Sequence, residues 1–209
     1  MTKSGRAIRL GAFAALFCFT ALQAQDSPGE PGKQDRGANP LKNVYFGEQH
    51  LHTENSPDAF VVNTRGTWAD AYNWALGKEI TLSTTGEKIK KSTPYDFVGI
   101  TDHAEYFGVM PSLIDPKSPL SKTELGQKMN DPDADPTAPD SAINQILGSL
   151  ITGVAMEEFV SPELQQSNWA RYVETANRFN KPGEFTTLIA YVWTSIPNGR
   201  NMHRNVYWE

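Results

Sequence analysis

Hydrophobic and polar positions along the chain predict strands and helices in alternation. In residues 43–50, β-branched and aromatic residues run into a polar end, which is typical of a strand. Apolar runs at 95–101 and 185–193 predict two more strands, and 204–208 a possible fourth. Between them, 67–77, 141–157 and 161–180 have the character of helices. This order predicts an α/β fold with parallel strands and crossover helices.

Polar residues mark where two of these helices begin. Thr67 stands three residues before Asp70, the spacing of a capping box, and Gly77 can end the same helix. Ser161 precedes Pro162, and this pair favours a helix start with Ser as the cap and Pro in the first turn.

Residues 108–140 are rich in Pro, Asp and Ser, which predicts an irregular surface insertion. The acidic residues in 131–135 raise the alternative of a calcium loop. Their spacing lacks the glycine and the terminal Glu of an EF-hand, so calcium is the weaker interpretation.

The first 24 residues have the pattern of a secretory signal peptide. Three basic residues precede an apolar run that is shorter than the roughly 20 residues of a membrane span, and Ala24 offers a cleavage point. An uncleaved anchor is the alternative. Residues 25–40 have the composition of a flexible linker, which leaves 41–209 as one domain. We therefore expect a secreted or periplasmic protein with no stable membrane anchor after cleavage. Cys18, the only cysteine, would be removed with the signal, which excludes disulfides and thiolate metal sites.

The net charge of −5 argues against a nucleic-acid surface. Removal of the signal would make the chain more acidic, because residues 1–24 carry three basic residues and no acidic one.

The four histidines lie at or beside predicted strand ends, and two of them are His50 and His52. Side chains two apart in a strand point to the same side, so these two can meet one cation. Asp58 follows after a turn and can add a carboxylate. The alternative is a strand end with two solvated histidines.

A second polar segment follows the strand at 95–101 and contains Asp102, His103 and Glu105. Parallel α/β proteins build their sites at the carboxyl ends of strands, which makes His103 a candidate metal ligand and Asp102 and Glu105 candidate catalytic residues. Asp102 could also bind the metal or orient a liganding histidine. The alternative is Asp102 as a helix cap.

His203, the last histidine, lies close in sequence to Arg200 and Arg204. The two arginines are candidate substrate-binding residues for a small anion, since the planar guanidinium suits phosphate or carboxylate; surface salt bridges are the alternative. The chain lacks the G-x-S-x-G, H-E-x-x-H and Walker patterns, so metal-activated water is the better supported chemistry.

Several of these motifs together resemble a known family. His50-Leu-His52-Thr, Ser56-Pro-Asp58 and Thr101-Asp-His103 resemble the first motifs of the PHP (polymerase and histidinol phosphatase) superfamily. The segments 44–53, 101–105, 182–187 and 203–206 are more closely similar to the secreted, PHP-like domain of unknown function 3604 family.

The resemblance implies a partial, distorted (β/α)7 barrel with two or three divalent ions (Zn, Mn or Fe) and phosphoester hydrolysis by metal-activated water. His50 and His52 would hold one ion, Asp58 and His103 another, and His203 would belong to the remaining position.

The chain departs from that family in two ways. Val192 stands where the family carries an acid. The chain is also short for the family, so we expect it to be the N-terminal part of the domain. A metal-binding but inactive protein and a non-enzymatic secreted interaction domain therefore remain alternatives to a phosphoesterase.

Overall fold

Four strands form the sheet that carries the candidate site. Two further strands of two residues each form a separate hairpin. The structure is a computed structural model that describes residues 42–195 and 200–208. The predicted signal peptide and linker lie outside those residues. The strands are β1 (Gly47–Leu51), β2 (Ile80–Thr81), β3 (Lys88–Ile89), β4 (Phe97–Ile100), β5 (Thr186–Ser195) and β6 (Met202–Trp208).

The main sheet has the order β1-β4-β5-β6. β1 pairs with β4 and β4 with β5 in parallel, whereas β5 and β6 are antiparallel. The expectation of parallel pairing is therefore correct for three strands and wrong for the last. The segment between β5 and β6 is too short for a parallel crossover, which needs about a dozen residues or more. The result is a mixed α/β fold with a curled, mostly parallel sheet, a half-barrel.

Six α-helices lie between the strands in the described part of the chain: α1 (Pro57–Val61), α2 (Trp68–Ala75), α3 (Met110–Ile114), α4 (Glu124–Asn130), α5 (Ala142–Thr152) and α6 (Pro162–Phe179). The predicted capping box of α2 is confirmed, since Thr67 and Asp70 each accept a hydrogen bond from the other's backbone N–H. Ser161 caps α6 as predicted. α5 ends earlier than expected, because Gly153 takes up a left-handed conformation with φ of 70°.

Helices α2 and α6 cover one face of the sheet with an aromatic core. Trp68 and Tyr72 of α2 and Tyr172 of α6 pack against the buried β4 residues Val98 and Ile100. The opposite face is concave. There Tyr207 of β6 reaches across to donate a hydrogen bond to the backbone oxygen of Gln49 in β1, so the first and last strands are bonded over the concave face.

The segment 108–140, expected to be irregular, contains α3, α4 and a 3-10 turn at Pro119–Lys122. Its apolar side chains are buried with those of α1 and α5 in a second core cluster that includes Phe60, Met110, Leu113, Leu125 and Ile146. Pro111 and Pro119 lie in the first turn of their helices, where proline is tolerated. Their presence therefore does not break the structure as the composition suggested.

Within the described residues, no helix combines the length and the apolar character needed to cross a bilayer.

Candidate metal centre

The carboxyl ends of β1 and β4 lie side by side and place two histidines at one edge of the sheet. The pairing continues past the strands, because the backbone N–H of Thr101 donates to the oxygen of Leu51 (2.8 Å). His52 directly follows β1, and His103 follows β4 by three residues. Parallel pairing thus brings together side chains that are 51 positions apart in the sequence.

All four histidines form one continuous row. The ring centroids of His50 and His52 are 4.9 Å apart, those of His52 and His103 5.0 Å, and those of His103 and His203 5.0 Å. β6 contributes His203 because it pairs with Thr194 of β5. The structure therefore brings the histidines predicted as ligands together.

His52, Asp58 and His103 form the group best arranged to hold a metal ion, with ligand atoms within 4.8 Å of one another. Oδ2 of Asp58 lies 2.9 Å from Nδ1 of His52 and 3.5 Å from Nε2 of His103. Two ligands about 2.1 Å from one ion lie roughly 2.9–3.4 Å apart at coordination angles between octahedral and tetrahedral. The two-nitrogen, one-oxygen donor set therefore fits a divalent ion such as Zn, Mn or Fe.

His50 extends this group through His52, since the Nε2 atoms of the two rings are 3.0 Å apart. The spacing suits two nitrogens on one ion, as predicted for this pair. However, Nδ1 of His52 faces Asp58, so His52 contacts both neighbours. The division of the ligands between ions stays a prediction.

The side chain of Ser56 is hydrogen-bonded to two of the candidate ligands, Asp58 and His103. It is fully buried, its hydroxyl donates to Oδ1 of Asp58 (2.6 Å) and it accepts from the backbone N–H of His103 (3.0 Å). It precedes α1 at the cap position but makes no side-chain cap bond there. Its hydroxyl is instead committed to the site, and it fixes Asp58 relative to His103.

Thr194 and Glu105 hold the other side of the His103 ring. Oγ1 of Thr194 lies 2.9 Å from Nδ1 of His103, and the backbone N–H of Thr194 donates to Oε1 of Glu105 (3.0 Å). Oε2 of Glu105 is 3.4 Å from Nδ1 of His103 and, in the described part of the chain, has no hydrogen-bond partner. These contacts leave Nε2 directed at Asp58, the orientation that a liganding histidine needs.

The charges of the site are strongly coupled. Burial alone would lower the pKa of His103, but its close contacts with the negative charges of Asp58 and Glu105 outweigh it and raise the pKa to about 9. Burial alone would raise the pKa of Asp58, but hydrogen bonds from His103, His52 and Ser56 hold it well below its usual range. Burial and the neighbouring His52 lower the pKa of His50. When no cation is bound, the positive charge of protonated His103 therefore offsets the negative charges of Asp58 and Glu105.

Asp102, a candidate catalytic residue, is completely buried. Its Oδ1 accepts from the backbone N–H of Thr53 (2.6 Å), and its Oδ2 accepts from the Thr53 hydroxyl (2.7 Å) and from the Trp68 indole (2.7 Å). Burial raises the pKa of Asp102, and these three bonds oppose the rise. Asp102 thus links Thr53, which directly follows His52, to Trp68 of α2. These hydrogen bonds fix the position of the backbone that carries His52. A helix cap, the alternative from the sequence, is not observed, because the next helix begins at Met110.

The two arginines do not lie among the ligands. Arg204 follows His203 in β6, and successive strand residues point to opposite faces. Its guanidinium lies 5.7 Å from the ring of Trp193. Arg200 is exposed in the segment before β6. Their role in binding an anion stays a prediction.

Val192 is buried in β5, on the same face as Thr194 and two residues before it. Its backbone is part of the scaffold for His103, since the N–H of Ala104 donates to the oxygen of Val192 (2.8 Å). Valine supplies no ligand atom at this position, and whether the site needs an acid there stays a prediction.

Sequence reasoning missed Ser56 and Thr194, and it did not find the contact of Asp102 with Trp68. Ser56 carried a weak signal, because a Ser before Pro-Asp reads as an ordinary helix cap. Thr194 carried none, because its contact depends on how β4 and β5 pair.

Fold and site together define an α/β half-barrel protein with a His/Asp group at its strand ends that can hold a metal ion. The chain belongs to the family described as protein of unknown function (DUF3604), which matches residues 39–209. The resemblance to that family is thereby confirmed. No curated protein and no solved structure matches the chain.

Proposed function

We propose that the protein is a secreted, metal-dependent hydrolase that cleaves a phosphoester, with a PHP-type barrel as its complete fold. The observation that supports this most is the group of His52, Asp58 and His103, whose donor atoms and spacing suit a divalent ion. A divalent ion bound there would supply a nucleophilic water near neutral pH and polarise the ester.

Three residues beside the ligands would support this reaction. Ser56 keeps Asp58 in place, and Thr194 keeps His103 oriented. Glu105 has a carboxylate oxygen without a hydrogen-bond donor in the described part of the chain and beside the ligands. This oxygen is buried against Nδ1 of His103 (3.4 Å), so acting as a general base for an attacking water would require a movement of the side chain.

The first test is the metal content of the purified protein, measured beside a His52→Ala/His103→Ala variant. Asp133→Asn, in the exposed loop, is the matched control. We expect about one or more transition-metal ions in the parent and the control, and loss in the double variant. Hydrolysis of phosphomonoesters and phosphodiesters is then assayed with Zn²⁺, Mn²⁺ and Fe²⁺. Bound metal without turnover of any ester would refute the hydrolase.

A metal-binding protein without catalytic activity is the second candidate, and buried Val192 favours it. A bridging carboxylate is missing if the site needs an acid at this position. In that case the parent binds metal without turnover, and Val192→Glu should keep the metal and gain activity. Turnover of an ester by the parent protein would reject this candidate. Val192→Gln, of the same size and uncharged, is the control.

A further inference from the structure

A cleft of about 180 Å³ opens beside the metal ligands, and its two walls differ in chemistry. One wall is polar and contains Asp58, His103, Glu105 and His203. The other is formed by three aliphatic side chains of α5, Leu147, Leu150 and Ile151. A substrate bound to the metal ligands would therefore lie against hydrocarbon.

The aliphatic wall is not simply part of the core. Leu150 packs partly against the buried cluster around Ile146, but Ile151 is 70% exposed at the end of α5. An isoleucine exposed to that extent beside a polar site gains free energy when an apolar group covers it, about 25 cal/mol per Å² buried.

The charge of the cleft restricts the substrate further. The carboxylates of Asp58 and Glu105 line it, and no Lys or Arg of the described residues does. Two carboxylates balance the charge of one divalent ion, so a doubly charged phosphomonoester would meet no net positive charge. Arg204, which could have supplied one, contacts Trp193 instead. A singly charged ester suits this cleft better.

We propose that the substrate class is a phosphodiester, singly charged, with a short aliphatic substituent that packs on Leu147, Leu150 and Ile151. This inference rests on the proposed function for the reaction, but the binding preference stands on the cleft itself. The polar wall holds the phosphoryl group, and the α5 wall selects the substituent.

The test uses monomethyl esters of alkylphosphonic acids, from methyl to hexyl, titrated calorimetrically into the metal-loaded protein. They carry one negative charge, and because the alkyl chain is attached through a P–C bond, cleavage of the methyl ester cannot remove it; phosphorus NMR checks that the ester stays intact during the titration. Each buried methylene tightens binding about fourfold. We expect the butyl compound to bind at least about tenfold tighter than the methyl compound. The free phosphonates, with a second negative charge at alkaline pH, should bind more weakly than their monoesters.

Ile151→Ser tests the wall, and Val154→Ser is the matched control, because Val154 is 69% exposed nearby and does not line the cleft. The first variant should reduce the butyl-to-methyl ratio at least about threefold with unchanged metal content. The second should leave the ratio unchanged. A series without chain-length dependence, an equal loss in both variants, or preference for the doubly charged compounds would overturn the proposal.

Failure of this inference differs from failure of the proposed function. Hydrolysis of esters without chain-length dependence would leave the hydrolase standing and reject the aliphatic subsite. Chain-length-dependent binding without turnover of any ester would support the subsite and reject the hydrolase.

Discussion

Asp102 offers the sharpest test of how the site is held together, because its role follows from three short contacts. We expect Asp102→Asn to lower the free energy of unfolding substantially. Oδ1 can keep its bond from the Thr53 backbone, so the new NH₂ group takes the place of Oδ2. There it meets the Trp68 indole N–H, a donor facing a donor. The Thr53 hydroxyl can accept from the new NH₂ group only in competition with Asn55, whose backbone N–H and side-chain NH₂ already donate to it (3.2 and 3.1 Å).

The magnitude follows from these contacts. Leaving the buried indole N–H unsatisfied costs about 1–3 kcal/mol, and the loss of charge weakens the two remaining bonds by about 1 kcal/mol each. The total is about 3–5 kcal/mol, a large part of the roughly 5–15 kcal/mol that stabilises a typical domain. In a Trp68→Phe background the donor conflict is absent, so the same substitution should cost about 1–3 kcal/mol less.

The assay is urea unfolding of the four proteins of this cycle, in excess chelator so that bound metal adds no stability. Asp96→Asn is the control, because Asp96 lies at the opposite end of the same strand and its Oδ2 accepts from the exposed backbone N–H of Phe46. A loss below about 0.5 kcal/mol for Asp102→Asn, or full additivity with Trp68→Phe, would refute the positioning role. If stability is unchanged and a separate metal analysis without chelator shows that the variant has lost its metal, Asp102 would instead be a ligand.

Three further predictions concern the ligands and their supports. Ser56→Ala should weaken metal binding about 10–100-fold, because it frees Asp58 and His103; titration with a competing chelator measures this. Between pH 6.5 and about 9, metal binding should release about one proton, since His103 is protonated without metal and a ligand nitrogen must be free; calorimetry in buffers of different ionisation enthalpy counts it. In the metal-free protein, the raised pKa of His103 contributes stability that is fully present below pH 6.5 and lost as pH rises through about 9; unfolding followed across this range detects it.

Each of these has a result that contradicts it. Ser83→Ala, at an exposed serine, is the control for Ser56, and equal affinities in the two variants would rule out a supporting role. Metal binding without proton release would mean that His103 is neutral or is not a ligand. Stability of the metal-free protein that rises between pH 6.5 and 9 would contradict its raised pKa, and His103→Gln should remove the dependence.

The four strands of the main sheet and helices α2, α5 and α6 could be predicted because each has a local signature, whereas the hairpin of β2 and β3 was not predicted. The capping box at Thr67 and the Ser-Pro start of α6 depend on neighbouring residues alone, and both occur as expected. The meeting of His52 and His103 could also be anticipated, since neighbouring parallel strands end at the same edge. The family resemblance added the expectation that His203 joins them.

The rest depends on contacts that composition does not reveal. Pro111 and Pro119 marked their segment as irregular, but prolines in a first turn leave a helix intact. The antiparallel course of β6 follows from a short connection rather than from its apolar pattern. Arg204 is next to His203 in the sequence, yet strand alternation places its side chain on the other face of the sheet.

The bonds from β6 back to β1 have a consequence for how the site is assembled. Gln49 accepts hydrogen bonds from Asn205 and Tyr207, which follow it by 156 and 158 residues. Contacts between such distant positions close a large loop and form slowly, so the high contact order makes this closure a late event in folding. During synthesis, His50 and His52 leave the ribosome long before the strand that completes their surroundings. The row of histidines is therefore assembled only after β6 has been made, and metal captured earlier would be held by an incomplete site.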